Sequence, residues 1–176
     1  MKELPAATDE QDRLLVKRCL EGQPDGPIGL VDRYHKRLFN VALRMLGDVQ
    51  DAEDVTQTVF FNAFDKLRSY DPKYRFFSWI YRMTVNESLN LLKRKKRTVT
   101  LEDIVAIKAP GPDHDAEVND LVGRALMELK PNDRAVVVLS HFASFSYQEI
   151  ADMLDIPVQT VKSRLHEARE KLRRKI

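Results

Sequence analysis

Apolar residues recur at steps of three and four along almost the whole chain, and that rhythm fails for more than a few residues only between Thr98 and Asp115. A period near 3.6 buries one face of a helix, whereas a half-buried strand alternates; the chain is therefore expected to be all-α. Only Val136, Val137 and Val138 argue locally for a strand. Because Leu139 and Phe142 continue a helical stripe from Val136, that segment reads as helix, with Asn132 as its N-cap and Pro131 ending the helix before. In the break, Ala109, Pro110, Gly111, Pro112 and Asp113 follow one another, which no helix accommodates. The expected architecture is two small helical domains, 1–97 and 116–176, joined by a flexible linker over 98–115 that does little to fix their relative orientation. A second Pro/Gly cluster, Gly22 to Gly29, reads as a loop between a short N-terminal helix and the periodic segment Leu30 to Leu46. Too few residues precede it to fold alone.

Composition narrows the function. At 176 residues and 43% hydrophobic content the chain can build real cores. Its net charge of +2 is too small for a diffuse polyanion binder, so the placement of charge matters. Lys93, Arg94, Lys95, Lys96 and Arg97 form one basic run. From Thr98 to Asp133 eight acids face three bases, and from Lys162 to Lys175 seven bases outweigh two acids. Two basic segments with an acidic one between them indicate two separate contacts to a polyanion. The one cysteine, Cys19, has no partner within the chain, so neither a disulfide framework nor a thiolate metal site is expected, and a reducing cytoplasm is the natural setting. No apolar run approaches a membrane span and the first residues are mixed and polar, so a soluble chain without membrane insertion is expected.

The sharpest local signal lies in the C-terminal half. Ser146 and Glu149 form S-x-x-E ahead of Ile150, Ala151 and Leu154, a capping box that starts a short helix. That helix should end near Asp155, and Pro157 stands where a new helix can begin without losing a hydrogen bond. In the new helix Val158, Val161, Leu165, Ala168 and Leu172 share one side, and Gln159, Thr160, Lys162, Ser163, Arg164, His166 and Arg169 face outward. Long cations neutralise phosphate and pair with guanine edges, while Ser, Thr and Gln give short hydrogen bonds near the helix start, as a major-groove reader needs. An ordinary amphipathic hairpin with a solvated basic face shares the charge pattern, but not the tight spacing of the two helices.

In the N-terminal half, Asp48 can cap a helix running to about Leu67 that buries Ala52, Val55, Val59, Ala63 and Leu67. On its opposite face lie Asp54, Gln57, Thr58, Phe61 and Asp65, and an aromatic ring among acids there fits a protein partner. The bland alternative packs Phe61 under the Pro/Gly loop. A metal site from Asp48, Asp51, Glu53 and Asp54 is disfavoured, because a helix points these carboxylates in different directions. Six aromatics, Tyr70, Tyr74, Phe76, Phe77, Trp79 and Tyr81, are interleaved with Lys73, Arg75 and Arg82. Unpaired bases stack on exposed rings for about 1–3 kcal/mol each while cations hold the backbone, so the mixture suits single-stranded nucleic acid. Phe76, Trp79 and Ile80 are expected to be structural, and Tyr70, Tyr74, Phe77 and Tyr81 mixed. Asn86, placed in a helix break, then Asn90, Lys93 and Arg94, extend the candidate surface along a basic helix end.

These segments resemble one family. S-Y-Q-E-I-A-D-M-L-D-I-P-V-Q-T-V-K-S-R-L-H-E-A-R is similar to the minus-thirty-five reading module of bacterial sigma factors. In order, R-Y-H-K-R-L-F-N-V-A-L-R-M-L-G, D-A-E-D-V-T-Q-T-V-F and F-F-S-W-I-Y-R-M-T-V-N resemble the core-binding and promoter-melting regions of extracytoplasmic-function (ECF) sigma factors. The resemblance implies a cytoplasmic transcription initiation factor that directs core RNA polymerase to promoters and helps melt the minus-ten element. By it, Asp51, Asp54, Gln57, Thr58 and Phe61 would meet the polymerase clamp coiled coil. Tyr70, Lys73, Tyr74, Arg75, Phe77, Tyr81, Asn86, Asn90, Lys93 and Arg94 would hold minus-ten DNA, with an unpaired base captured near Asn86. The C-terminal module would sit on the polymerase flap with its outward face on duplex DNA, and an anti-sigma factor would mask these surfaces. No cofactor, metal or catalytic residue is implied, and no Walker loop, H-E-x-x-H pair or activated nucleophile is present. Three other classes remain at this point: a free-standing helix-turn-helix regulator, a metal-dependent nuclease, and a helical adaptor without nucleic acid.

Overall fold

The computed structural model describes residues 6–98 and 114–174, and every regular element within them is helical. An N-terminal unit holds α1 (Ala6–Leu20), α2 (Asp25–Leu46), α3 (Val49–Asp65) and α4 (Phe76–Thr98). A C-terminal unit holds α5 (His114–Met127), α6 (Pro131–Val137), α7 (Tyr147–Leu154) and α8 (Val158–Arg173). Most of the stretch expected to be a linker, 99–113, lies outside the described residues.

The expected loop from Gly22 to Gly29 is shorter, because α2 begins at Asp25. Pro27 lies in its first turn, where the backbone N–H has no partner to lose. Gly26 and Gly29 serve close packing: a Cβ on Gly26 would come within 2.5 Å of the Cys19 backbone nitrogen, and one on Gly29 within 2.6 Å of a Leu15 methyl. They let α2 lie against α1. At the centre of this contact the fully buried Tyr34 donates its hydroxyl to buried Asp12, which also pairs with Arg33 at 2.8 Å. Burial pushes the Asp12 carboxyl up, and the Tyr34 hydroxyl and the Arg33 charge pull it back.

Asp48 caps α3 as expected, accepting from the Asp51 N–H at 2.8 Å, and Ala52, Val55, Val59 and Ala63 are buried. Leu67 is buried in the short 3-10 turn that follows. The break expected at Asn86 is absent, since α4 runs continuously from Phe76 to Thr98. Its polar middle is absorbed by the helix itself: the Thr84 and Ser88 hydroxyls donate to the Ile80 and Thr84 carbonyls at 3.0 and 2.8 Å. Pro131 does not end a helix either; it opens α6, with Lys130 at the cap and Asn132 inside the first turn. A proline's fixed φ suits that first position. The three valines are helical and buried, with α6 passing at Val138 into a π-helical turn that ends at Phe142.

The two units pack on one another. Arg134 of α6 is buried and donates to the Met127 and Leu129 carbonyls at 3.0 Å each and, across the interface, to the Met45 carbonyl at the end of α2. Helix ends carry unsatisfied carbonyls and partial negative charge, so one guanidinium serves two of them at once. Burial lowers Arg134 to about 10, which leaves it a cation at neutral pH. Beside it Gly47 closes α2 in the left-handed region at φ 74°. A Cβ there would also meet the Met127 sulfur at 2.7 Å, so backbone and packing both demand glycine.

Candidate nucleic-acid interface

The outward face of α8, expected to read DNA, is set by the caps of the C-terminal unit. Ser146 and Glu149 form the reciprocal capping box at the start of α7, with the Ser146 N–H donating to the Glu149 carboxylate at 2.8 Å. Asp155 takes a left-handed conformation (φ 52°) at the end of α7, turning the chain sharply into α8. Val161, Leu165 and Ala168 are buried with Val158 and Leu172 beside them, so the opposite side of α8 is obliged to face out. Gln159, Lys162, Ser163, His166 and Arg169 are exposed; Thr160 and Arg164 are half-buried. Arg164 leans toward Asp133 at 3.8 Å, and the Ser163 hydroxyl donates to the Thr160 carbonyl at 3.1 Å.

On α3 the outward face is also as expected. Asp54, Gln57, Thr58 and Asp65 are exposed, and Phe61 is 75% exposed rather than tucked under a loop. Asp51 departs from that face: it is half-buried and bound to Lys95 at the end of α4. Asp48 caps α3 and Glu53 faces His35 at 3.7 Å, so the acids of this helix diverge instead of enclosing an ion.

The aromatic segment divides. Phe76 and Ile80 are buried, and Trp79 lies half-buried with its ring centroid 5.3 Å from Tyr70 and 5.6 Å from Phe76. Tyr70 donates its hydroxyl to the Tyr74 carbonyl, which steadies the loop carrying exposed Lys73 and Tyr74, the latter 70% exposed. Arg75 pairs with Asp9 at 3.0 Å. Phe77 and Tyr81 are only 3% and 4% exposed: Phe145 of the other unit stacks on Phe77 at 4.8 Å and meets Tyr81 edge-on at 5.3 Å, and Tyr34 of their own unit lies 6.3 Å from Phe77. Burial pushes the Tyr81 phenol up to about 12. Further along α4, Asn86, Asn90, Lys93 and Arg94 are exposed, and Arg94 pairs with Glu87 at 3.1 Å.

Lys93 and Lys96 look across a cleft of about 690 Å³ at Thr160, Ser163 and Arg164 of α8, so the two basic segments are neighbours. A second cleft of about 350 Å³ lies between Arg37, Arg44, Phe77 and Tyr81 on one side and Phe142 and Ser144 on the other. Phe145, Phe142 and Arg134 escaped the sequence as interface residues. An apolar residue just before a capping serine reads as a staple onto its own helix, and nothing local reveals a partner more than sixty positions away.

The fold and surfaces define a two-unit helical DNA-binding protein. Residues 30–98 match the family model for sigma-70 region 2, and residues 119–172 match that for sigma-70 region 4. The chain is 32% identical to the ECF RNA polymerase sigma factor SigW of Bacillus subtilis, over 92% of this chain and 94% of that protein. Among solved structures, CnrH in complex with the cytosolic domain of CnrY matches with a TM-score of 0.70 and 26% identity, covering 92% of this chain and 94% of CnrH. The fold is shared with the sigma factor RpoE of Bartonella quintana, solved with the anti-sigma factor NepR, at a TM-score of 0.69 and 22% identity over 83% of this chain and 93% of that one. The chain belongs to the sigma-70 family, in its ECF group of RNA polymerase sigma factors. It is a transcription initiation factor, and catalysis belongs to the polymerase.

Proposed function

We propose that this sigma factor divides its work among three surfaces. The α3 face of Asp54, Gln57, Thr58 and Phe61, with Asp51 at its edge, docks on the clamp coiled coil of core RNA polymerase. The segment from Tyr70 to Arg94 takes the unpaired minus-ten strand: Tyr74 and Lys73 offer a ring and a cation already in solvent, Tyr70 and Arg75 flank them, Phe77 and Tyr81 add rings once Phe145 is withdrawn, and Asn86, Asn90, Lys93 and Arg94 continue along the helix. Unpaired bases stack on rings while cations carry phosphate, so this surface needs no reaction of its own. Gln159, Thr160, Lys162, Ser163, Arg164, His166 and Arg169 read minus-thirty-five duplex in the major groove while their unit, 116–176, rests on the polymerase flap. Residues 1–97 form the other functional domain, with 98–115 bridging the two.

One observation carries this reading beyond a free-standing regulator: Phe61 is 75% exposed amid acids on a chain that also builds a capped helix-turn-helix. A large ring left in water beside charge fits a partner surface. The cytoplasm, where polymerase works, is the proposed compartment, and among the described residues no helix is long and apolar enough to cross a membrane. Control by an anti-sigma factor is proposed on the likeness to RpoE, whose solved complex contains one.

Run-off transcription with sigma-free core polymerase and a pool of promoter fragments tests the reading. Specific new transcripts are expected from the wild type, weakened in Asp54→Ala and in Lys162→Ala. Duplex binding without any transcript or polymerase binding would make the chain a conventional regulator.

A further inference from the structure

We propose that the corner between the π-helical turn and α7, with Phe145 at its tip, is an autoinhibitory latch that closes the C-terminal unit over the aromatic segment in the free protein. The inference rests on the assignment of Phe77 and Tyr81 to minus-ten DNA. Ser144 takes a left-handed conformation (φ 58°) just before Phe145, and the Phe145 N–H donates back to the Leu139 carbonyl at 3.1 Å, so the ring is aimed by backbone geometry. It reaches across to Phe77 and Tyr81 and is itself buried there. An aromatic face stacked on another ring cannot stack on a base, so latch and strand compete for one surface.

Two further joints support the closed state. The Arg44 guanidinium lies over the Phe142 ring at 4.2 Å, and Arg134 donates to the Met45 carbonyl. At the far end the cleft carries a net positive charge. Lys93 and Lys96 of α4 face Lys130, Asp133, Arg164 and Glu167 of the other unit, whose charges cancel, so the excess cations are those of α4. The closed form is thus held at its aromatic end and carries excess cations where DNA phosphates would enter, so a polyanion is attracted beside the latch whose place it takes. One flank of α8 faces this same cleft, so opening also clears its approach to duplex.

The test uses the full chain in a Cys19→Ser background, with dyes on Arg68→Cys and Lys171→Cys, both exposed positions. Energy transfer reports the separation of the units, and a labelled A/T-rich single-stranded 12-mer at low salt reports access to the rings. The wild type is expected to show one high-transfer population. Phe145→Ala and Phe142→Ala should lower transfer and raise oligonucleotide affinity about tenfold for Phe145→Ala, the scale of one stacking ring uncovered. Phe142 is 41% exposed against 5% for Phe145, so its variant keeps the fold if loss of Phe145 does not. Unchanged transfer in both folded variants overturns the latch. So does a fall in transfer with no gain in affinity while Lys93→Ala still weakens binding. If transfer falls but no form binds the oligonucleotide, the minus-ten assignment fails and the autoinhibition with it, leaving Phe145 only as a joint.

Discussion

The recognition helix α8 and the aromatic start of α4 are both assigned to DNA, yet they are built in opposite ways. On α8 the apolar stripe is buried and most of the polar stripe is exposed, so its polar side chains are already in solvent in the free chain even though one flank lines the cleft against α4. At the start of α4 the rings assigned to bases share one side with the core: structural Phe76 is packed in beside them, and Phe77 and Tyr81 are covered by another unit's ring. A surface made of charges is presented by the fold. A surface made of rings is drawn into the nearest dry contact unless something holds it open, since each ring buried is apolar area removed from water.

Several substitutions would break or sharpen that contrast. The largest effect is expected from Leu165→Ala, which empties a fully buried site under α8 and should cost about 2–5 kcal/mol in chemical denaturation, while Lys162→Ala on the opposite side stays within about 0.5 kcal/mol. Equal costs would mean that α8 is not divided into a core side and a reading side. Next comes the cap: Ser146→Ala should destabilise the chain by about 1 kcal/mol, measured the same way, because it leaves a helix-start N–H without its acceptor. Duplex binding should weaken linearly in log salt, and Lys162→Ala should reduce that slope by about 1. An unaltered slope would take Lys162 off the phosphates. The smallest effect concerns His141, whose pKa is lowered by burial and by the Arg169 charge. Its neutral form is the folded one, so its contribution is present above 6.5, the ordinary value, and fades as pH falls through the lower folded value. His141→Gln should therefore flatten the loss of stability on mild acidification.

The contrast also marks what the residues disclose alone. Ser146, Glu149 and Pro157 announce α7 and α8 because caps and turns act within a few positions, and the outward face of α8 follows from period alone. Phe61 was legible for the same reason. The start of α2 was not, because Gly26 and Gly29 resemble breakers until α1 is seen against them. Asn86 misled in the same direction, since neighbouring hydroxyls folded back onto their own helix. The burial of Phe77 and Tyr81 depends on Phe145, and the pairing of Asp51 depends on Lys95 from another helix. Periodicity places a side chain on a face of its element; what covers that face is decided by other segments.

The central claim is that, of the three proposed surfaces, the α3 face for polymerase and the α8 face for duplex are separable. It is tested most directly by measuring both bindings for two variants, with purified core polymerase and promoter duplex selected by run-off transcription. Phe61→Ser should weaken core binding and keep duplex binding, and Lys162→Ala should weaken duplex binding and keep core binding, both with an unchanged fold. If each variant lowers both bindings alike, or neither lowers either, the two-surface account is wrong.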